Sequence, residues 1–272
     1  MVANSPASRY NTAIVLPYRL VLAALLCGAA WGQAPAYSAA SILNASDYTA
    51  GPFAPNSVLS IFGTNLAWQD PGPNSSVTIP LPTRLNGVQV LVDNVPAPLF
   101  YVSRTQINFL VPGNEFVDGT PIPVQVVRQG DIAPGPRPTI TLVDTAPALF
   151  KTDSGYVLAL HPDYTVVTPD APARAGEVVA VFATGLGKTG GDPIPGEAPV
   201  IALIKAWQDL KVYLNGALLD IGNIKYAGTA PGWPGLYQIN IQLPGNLAPD
   251  PEIRVAIGAQ STPSGGFRLA VQ

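Results

Sequence analysis

The sequence predicts an all-β protein: two tandem immunoglobulin-like β-sandwich units behind an N-terminal signal segment. Three observations carry that prediction. Gly235 to Pro244, G-L-Y-Q-I-N-I-Q-L-P, alternates strictly from Gln238 onward, with Ile239, Ile241 and Leu243 apolar and Gln238, Asn240 and Gln242 polar, as a strand with one buried face must. Thr105 to Pro112, T-Q-I-N-F-L-V-P, repeats the pattern with Ile107, Phe109 and Val111 inward and Gln106 and Asn108 outward. Charged residues make up 11% of the 272-residue chain, while hydrophobic residues reach 47% alongside 26 Gly and 30 Pro. A disordered Pro/Gly-rich chain lacks that apolar content, so this composition means real cores interrupted by many turns. Short apolar runs between Gly/Pro clusters are the pattern of sandwiches.

Residues 1–33 read as a signal peptide. Arg9 and Arg19 precede the apolar run Leu20 to Ala30, and small residues around Gly32 offer a cleavage point. Eleven apolar residues are too few to span a bilayer, and Pro17 and Arg19 block extension backwards; a retained signal anchor is the alternative. The single cysteine, Cys27, lies inside this run after Leu26, where a lipoprotein site would want a small residue. Beyond the signal there is no cysteine and hence no disulfide. Without Arg9 and Arg19 the chain carries 12 basic and 17 acidic residues, a net charge of −5, with no basic cluster. That balance excludes nucleic acid and anionic membrane surfaces as partners and leaves the cell exterior or surface as the expected location.

Residues 34–53 are a turn-rich lead-in that can add one edge strand, and 54–145 form the first sandwich. Its strands are expected at Ser57 to Asn65, Val88 to Asp93, Ala97 to Val102, Gln106 to Val111, Ile122 to Arg128 and Thr139 to Val143. Together with the edge strand these make roughly seven, the immunoglobulin-like number. Asp144 to Phe150, D-T-A-P-A-L-F, is the joint, and 146–272 are the second sandwich. There Glu177 to Leu186 aligns with Ser57 to Leu66, Leu210 to Gly216 with Val88 to Asn94, and Asp163-Tyr164-Thr165 with Asp47-Tyr48-Thr49. Glu252 to Ile257 and Phe267 to Val271 are the last expected strands. Val200 to Leu210 reads as an insertion absent from the first unit, with 202–210 as the one helical turn.

Several of these runs carry a family likeness: S-I-L-N-A-S-D-Y (41–48), A-P-N-S-V-L-S-I-F-G-T-N-L-A (54–67), A-P-A-L-F (146–150), A-G-E-V-V-A-V-F-A-T-G-L-G (175–187) and Y-A-G-T-A-P-G-W-P-G-L-Y-Q-I-N-I-Q-L-P (226–244). From about Ser41 onward the chain resembles an uncharacterised, Solibacter-type C-terminal domain family of acidobacterial secreted proteins, itself similar to IPT/TIG immunoglobulin-like domains. The resemblance implies fold and location and brings no activity with it. Members usually end larger extracellular proteins, whereas here only the signal precedes the pair. The pair is then expected to be functional itself or to serve a separate partner chain.

No catalytic constellation emerges. Gly185 to Gly190, G-L-G-K-T-G, matches a dinucleotide fingerprint, but Gly191-Asp192-Pro193-Ile194-Pro195 cannot open the helix whose amides would hold a pyrophosphate. A phosphate-binding P-loop would need glycine where Phe182 stands. His161, the only histidine, precedes Pro162 in a turn, with neither a G-x-S-x-G elbow nor a cysteine nucleophile to serve. Asp47, Asp93, Asp163, Asp192, Asp209 and Asp220 are scattered in turn-like segments, where aspartate is a turn former. No enzyme activity, cofactor or metal is expected.

Candidate contact residues are Trp233, Trp68, Trp207, Gln106, Asn108, Gln238 and Asn240. Trp233 sits in P-G-W-P-G and either stacks on a sugar or protein surface or plugs the sandwich end; Trp68 and Trp207 invite the same question. Tyr48, Tyr101 and Tyr226 are weaker candidates. The amide pairs either form a ligand face or satisfy neighbouring polar groups. The expected role is a non-catalytic interaction module for an extracellular protein or polysaccharide. The alternative is a carbohydrate-binding protein using exposed tryptophans, with a hydrolase a distant third.

Overall fold

The computed structural model describes residues 33–272 apart from 74–75, 114–115, 132–134 and 192–193, so the signal segment, Cys27 and Asp192 lie outside the described residues. Residues 33–272 form one compact unit containing two antiparallel sandwiches.

The first sandwich uses β1 (Ile42–Asn44), β2 (Val58–Phe62), β3 (Val88–Val92), β4 (Val95–Pro96), β5 (Leu99–Val102), β6 (Gln106–Leu110), β7 (Thr120–Arg128) and β8 (Thr139–Leu142). They form two four-stranded sheets, β1-β2-β6-β5 and β4-β3-β7-β8. Alternation decides which side chains face inward. Leu59 and Ile61 from β2, Ile107 and Phe109 from β6, and Val88, Val90 and Val92 from β3 are fully buried in one core. Residues 34–53 belong to this sandwich: Ala36 bridges Thr64, and Phe53 donates to Thr141. The Tyr37 hydroxyl, with its pKa pushed up to about 12 by burial, donates to the Pro136 carbonyl and accepts from the Val126 N–H.

The second sandwich repeats the plan with β9 (Ala148–Leu149), β10 (Ala159–Leu160), β11 (Val178–Thr184), β12 (Leu210–Leu214), β13 (Ala217–Leu218), β14 (Ile224–Thr229), β15 (Tyr237–Gln242), β16 (Ile253–Ile257) and β17 (Gln260–Ser261). Its sheets are β10-β11-β15-β14, with β9 also on β11, and β13-β12-β16-β17. The duplication reaches fine detail. The pairing of β5 with β6 shifts between Leu99 and Tyr101, and that of β14 with β15 shifts between Ile224 and Tyr226, so Tyr101 faces Asn108 and Tyr226 faces Asn240. Both hairpins at 93–94 and 215–216 turn through two left-handed residues, Asp93-Asn94 and Asn215-Gly216.

Two expectations need correction. The connections 63–87 and 185–209 are equal in length, so Val200 to Leu210 is no insertion; a sequence match anchored on apolar residues lost register in two Pro/Gly-rich loops. The helical turn there is a single 3-10 turn at Trp207–Asp209, and others stand at Ala39–Ser41 and Ile221–Asn223. Phe267 to Val271 is no continuous strand but makes isolated bridges from Arg268 and Val271, while β17 takes the place beside β16. Phe267 and Leu269 are nonetheless buried.

The sandwiches meet along a seam built by the ends of β11 and β15. The Thr184 hydroxyl accepts from the Val58 N–H at 3.1 Å and donates to the Gly235 carbonyl at 2.9 Å. Gly235, at φ +72°, presses its Cα face against Leu110 and Val58, leaving no room for a side chain. The joint closes the same seam, since Ala146 N–H donates to the Gly185 carbonyl, and Leu81 N–H donates to Gly196.

Candidate functional site

The outward-facing amides lie at identical register in the two sandwiches. Phe62 opposes Gln106 and Ser60 opposes Asn108, as Phe182 opposes Gln238 and Ala180 opposes Asn240. Gln106 Nε2 donates to Asn108 Oδ1 at 2.8 Å, and the buried Ser60 hydroxyl donates to the same oxygen at 2.9 Å. Gln238 Nε2 donates to Asn240 Oδ1 at 2.6 Å. Each pair therefore satisfies part of its own hydrogen-bonding capacity along one strand. The Tyr226 hydroxyl is also engaged, on the Thr229 carbonyl, whereas Tyr101 is exposed.

The three tryptophans stand in three separate surroundings. Trp68 carries the Arg128 guanidinium over one ring face at 3.8 Å and donates from Nε1 to the Gln129 carbonyl. Arg128 is itself buried, bonded to Asp131 and to the carbonyls of Asn65 and Gln33, so Trp68 caps an ion pair. Trp207 is half-buried against the second core. Trp233 is 57% exposed in a turn held by its own N–H on Ala230 and by Leu236 N–H on its carbonyl.

Around Trp233 the fold assembles a surface that sequence reasoning missed. Gly232 N–H donates to Pro199, Thr229 N–H to Ala202, and the Thr229 hydroxyl to Val200, while Leu203 bridges Gly228. These bonds lay 199–203 along β14 and bring Val200 (77% exposed), Ile201 (72%) and Leu203 beside the Trp233 turn. Ile194, also exposed, shares a concavity with Pro199, Thr229 and Pro234. The signal was the run Val200-Ile201-Ala202-Leu203-Ile204, which has core composition; only Ile204 of its large side chains is fully buried. The same strap covers the 227–229 end of the β14 edge and blocks strand addition there.

His161 lies at another end of the second sandwich. Its Nδ1 is 2.5 Å from Glu177 Oε1 and its Nε2 is 3.1 Å from the Ala171 carbonyl. The Glu177 hydrogen bond, ahead of other influences, raises the ring pKa above its ordinary value. The other carboxylate oxygen accepts from Arg174 N–H. The nearby Thr165 hydroxyl donates to Asp163 Oδ1 and so is held away from the ring. Asp163 and Asp47 form the same turn, each accepting from the N–H and hydroxyl of the threonine two residues on. Asp220 caps a 3-10 turn through Gly222 N–H. Among the described residues no cluster of His, Cys, Asp or Glu is arranged to hold a metal. In the glycine-rich loop, Gly187 accepts from the Tyr237 hydroxyl and packs on Asp144 and Thr145. Gly185 and Gly187 serve close packing against the joint.

The fold and these surfaces define a tandem immunoglobulin-like protein. Residues 43–141, which span the first sandwich, match the IPT/TIG domain family. Among solved structures the chain is similar to the Plexin A4 full extracellular region, domains 1 to 8, at 11% identity and a TM-score of 0.31, covering 90% of this chain and 19% of that one. The chain thus spans less than a fifth of that chain's length. No curated protein matches the sequence.

Proposed function

We propose that the protein is a non-catalytic module, exported to the cell exterior, that binds a protein partner through the apolar surface formed by Trp233 and the 194–203 strap. One observation carries this reading. Large apolar side chains at Val200, Ile201, Leu203 and Trp233 are exposed on two segments that hydrogen bonds fix side by side. Exposed apolar side chains gathered on a rigid framework are a feature of contact surfaces, with an aromatic at the centre as the anchor. The first sandwich's IPT/TIG match supports the same class, because IPT/TIG domains mediate protein interactions. The signal-like sequence of residues 1–33 and the resemblance to an acidobacterial secreted family support the exterior location.

A polysaccharide reading based on Trp68, Trp207 and Trp233 as one platform has less support, since Trp68 is capped by Arg128 and Trp207 packs on the core. The test compares the mature chain with Trp233→Ser and with Val200→Asp/Ile201→Asp. Surface proteins extracted from the producing cells are cross-linked to each, alongside titration of tryptophan fluorescence with soluble polysaccharides. A cross-linked protein retained by the parent and lost from both variants is the expected result. A saturable fluorescence shift with a polysaccharide, abolished by Trp233→Ser, would overturn the protein reading.

A further inference from the structure

The geometry points to His161 as a doubly protonated latch that clips the Tyr164-bearing turn to the start of β11 and opens as pH rises. Both ring nitrogens face oxygen acceptors, Glu177 Oε1 at Nδ1 and the Ala171 carbonyl at Nε2. A neutral imidazole carries one N–H, so with Glu177 ionised either tautomer sets a lone pair against an oxygen. The imidazolium satisfies both. Glu177 is fixed in turn by Arg174 N–H on Oε2, and Glu177 N–H donates back to the Arg174 carbonyl. One ring therefore ties together three turns, at 161–165, 168–171 and 174–177.

The turn so held is unusual. Tyr164 is 83% exposed and sits at φ +67°, a left-handed conformation that a bulky side chain rarely adopts. Its N–H donates to the His161 carbonyl, and the His161 N–H donates to the Thr165 carbonyl. In the first sandwich the same turn carries Tyr48 at φ +59°, but Tyr48 packs on Phe62 at 5.8 Å. Asn44, whose Oδ1 accepts from Ser46, stands in the place of His161 and does not titrate. The second copy has thus acquired a titratable clip beneath a displayed tyrosine.

The charges acting on the ring are Glu177 from the start of β11 and Asp163 from its own turn, while Asp170 and Arg174 from the two neighbouring turns line the same concavity. Glu177, first through its hydrogen bond, and Asp163 favour the imidazolium, while burial opposes it. The ring pKa is raised on folding, so its contribution is fully present below the ordinary 6.5 and lost as pH rises through the folded value. The module presents Tyr164 rigidly in mildly acidic surroundings and loosens that end in alkaline ones.

Since His161 is the only histidine, ¹⁵N NMR of the ring reads its state without assignment by mutation. The expected result is protonation of both ring nitrogens at pH 6.5. Across the ring's titration, exchange of the Arg174 amide, corrected for intrinsic base catalysis, should rise roughly tenfold, with no such step in His161→Gln. Glu177→Gln should bring the ring pKa down toward 6.5. A singly protonated ring at pH 6.5, or an exchange profile identical to that of His161→Gln, would overturn the latch.

Discussion

Thr184 and Val58, 126 positions apart, are joined by a hydrogen bond from the Val58 N–H to the Thr184 hydroxyl across the boundary between the sandwiches. The hydroxyl is fully buried and spends its own proton on the Gly235 carbonyl. Thr184→Val preserves shape but leaves a shielded N–H and carbonyl without these partners. A loss of about 2 kcal/mol is expected from such unsatisfied groups. Denaturant unfolding monitored by tryptophan fluorescence measures it, and an unchanged midpoint would show that the bond contributes nothing.

Gly235→Ala meets two obstacles at once. The backbone is left-handed there, and a Cβ would lie 2.8 Å from Val58 Cγ2 and closer still to Leu110. The expected cost is about 2 kcal/mol. Chemical shifts should move on β2 and β6 as well as near residue 235, because the strain falls on the neighbouring sandwich.

Arg128 and Asp131 form a buried pair at 2.7 Å, their side chains 1% and 8% exposed. Arg128→Ala strands the carboxylate and the carbonyls of Asn65 and Gln33, and takes away the cation above Trp68. Removing one partner of a buried pair costs about 3–5 kcal/mol. Calorimetry should register a much lower Tm, and Trp68 should become more accessible to an aqueous quencher.

Trp233→Ser should leave stability within about 0.5 kcal/mol of the parent, as for surface substitutions away from packing or networks. Its turn is held by backbone bonds that the substitution retains. A large loss of stability would mean that the ring plugs the sandwich end and is not displayed for contact.

Strand positions were legible because a half-buried strand writes its faces into a period of two: Gln238-Ile239-Asn240-Ile241-Gln242 shows its face without reference to any neighbour. Turn chemistry was equally local, as in the matched Asp47 and Asp163 turns. The seam was not legible, because Thr184 and Gly235 look like ordinary strand-end residues until the other sandwich is beside them. The exposed surface at Val200, Ile201 and Leu203 was missed for a related reason. An apolar run announces hydrophobicity, while its exposure depends on whether a distant element arrives to cover it, and here Thr229 pins the run from the solvent edge. His161 was seen as a turn residue; that its partners are Glu177 and Ala171 follows from three separate turns converging.

The Gly235 contact separates inheritance from folding. The chain carries a duplicated plan, yet the two copies have diverged into a complementary lock: one offers Val58 and Leu110 as a raised apolar surface, the other a strand end stripped to glycine to receive it. Neither copy could replace the other in that joint. Excising either half would uncover what the other was shaped to meet, so the repeat unit is a measure of ancestry, while residues 33–272 form one compact unit.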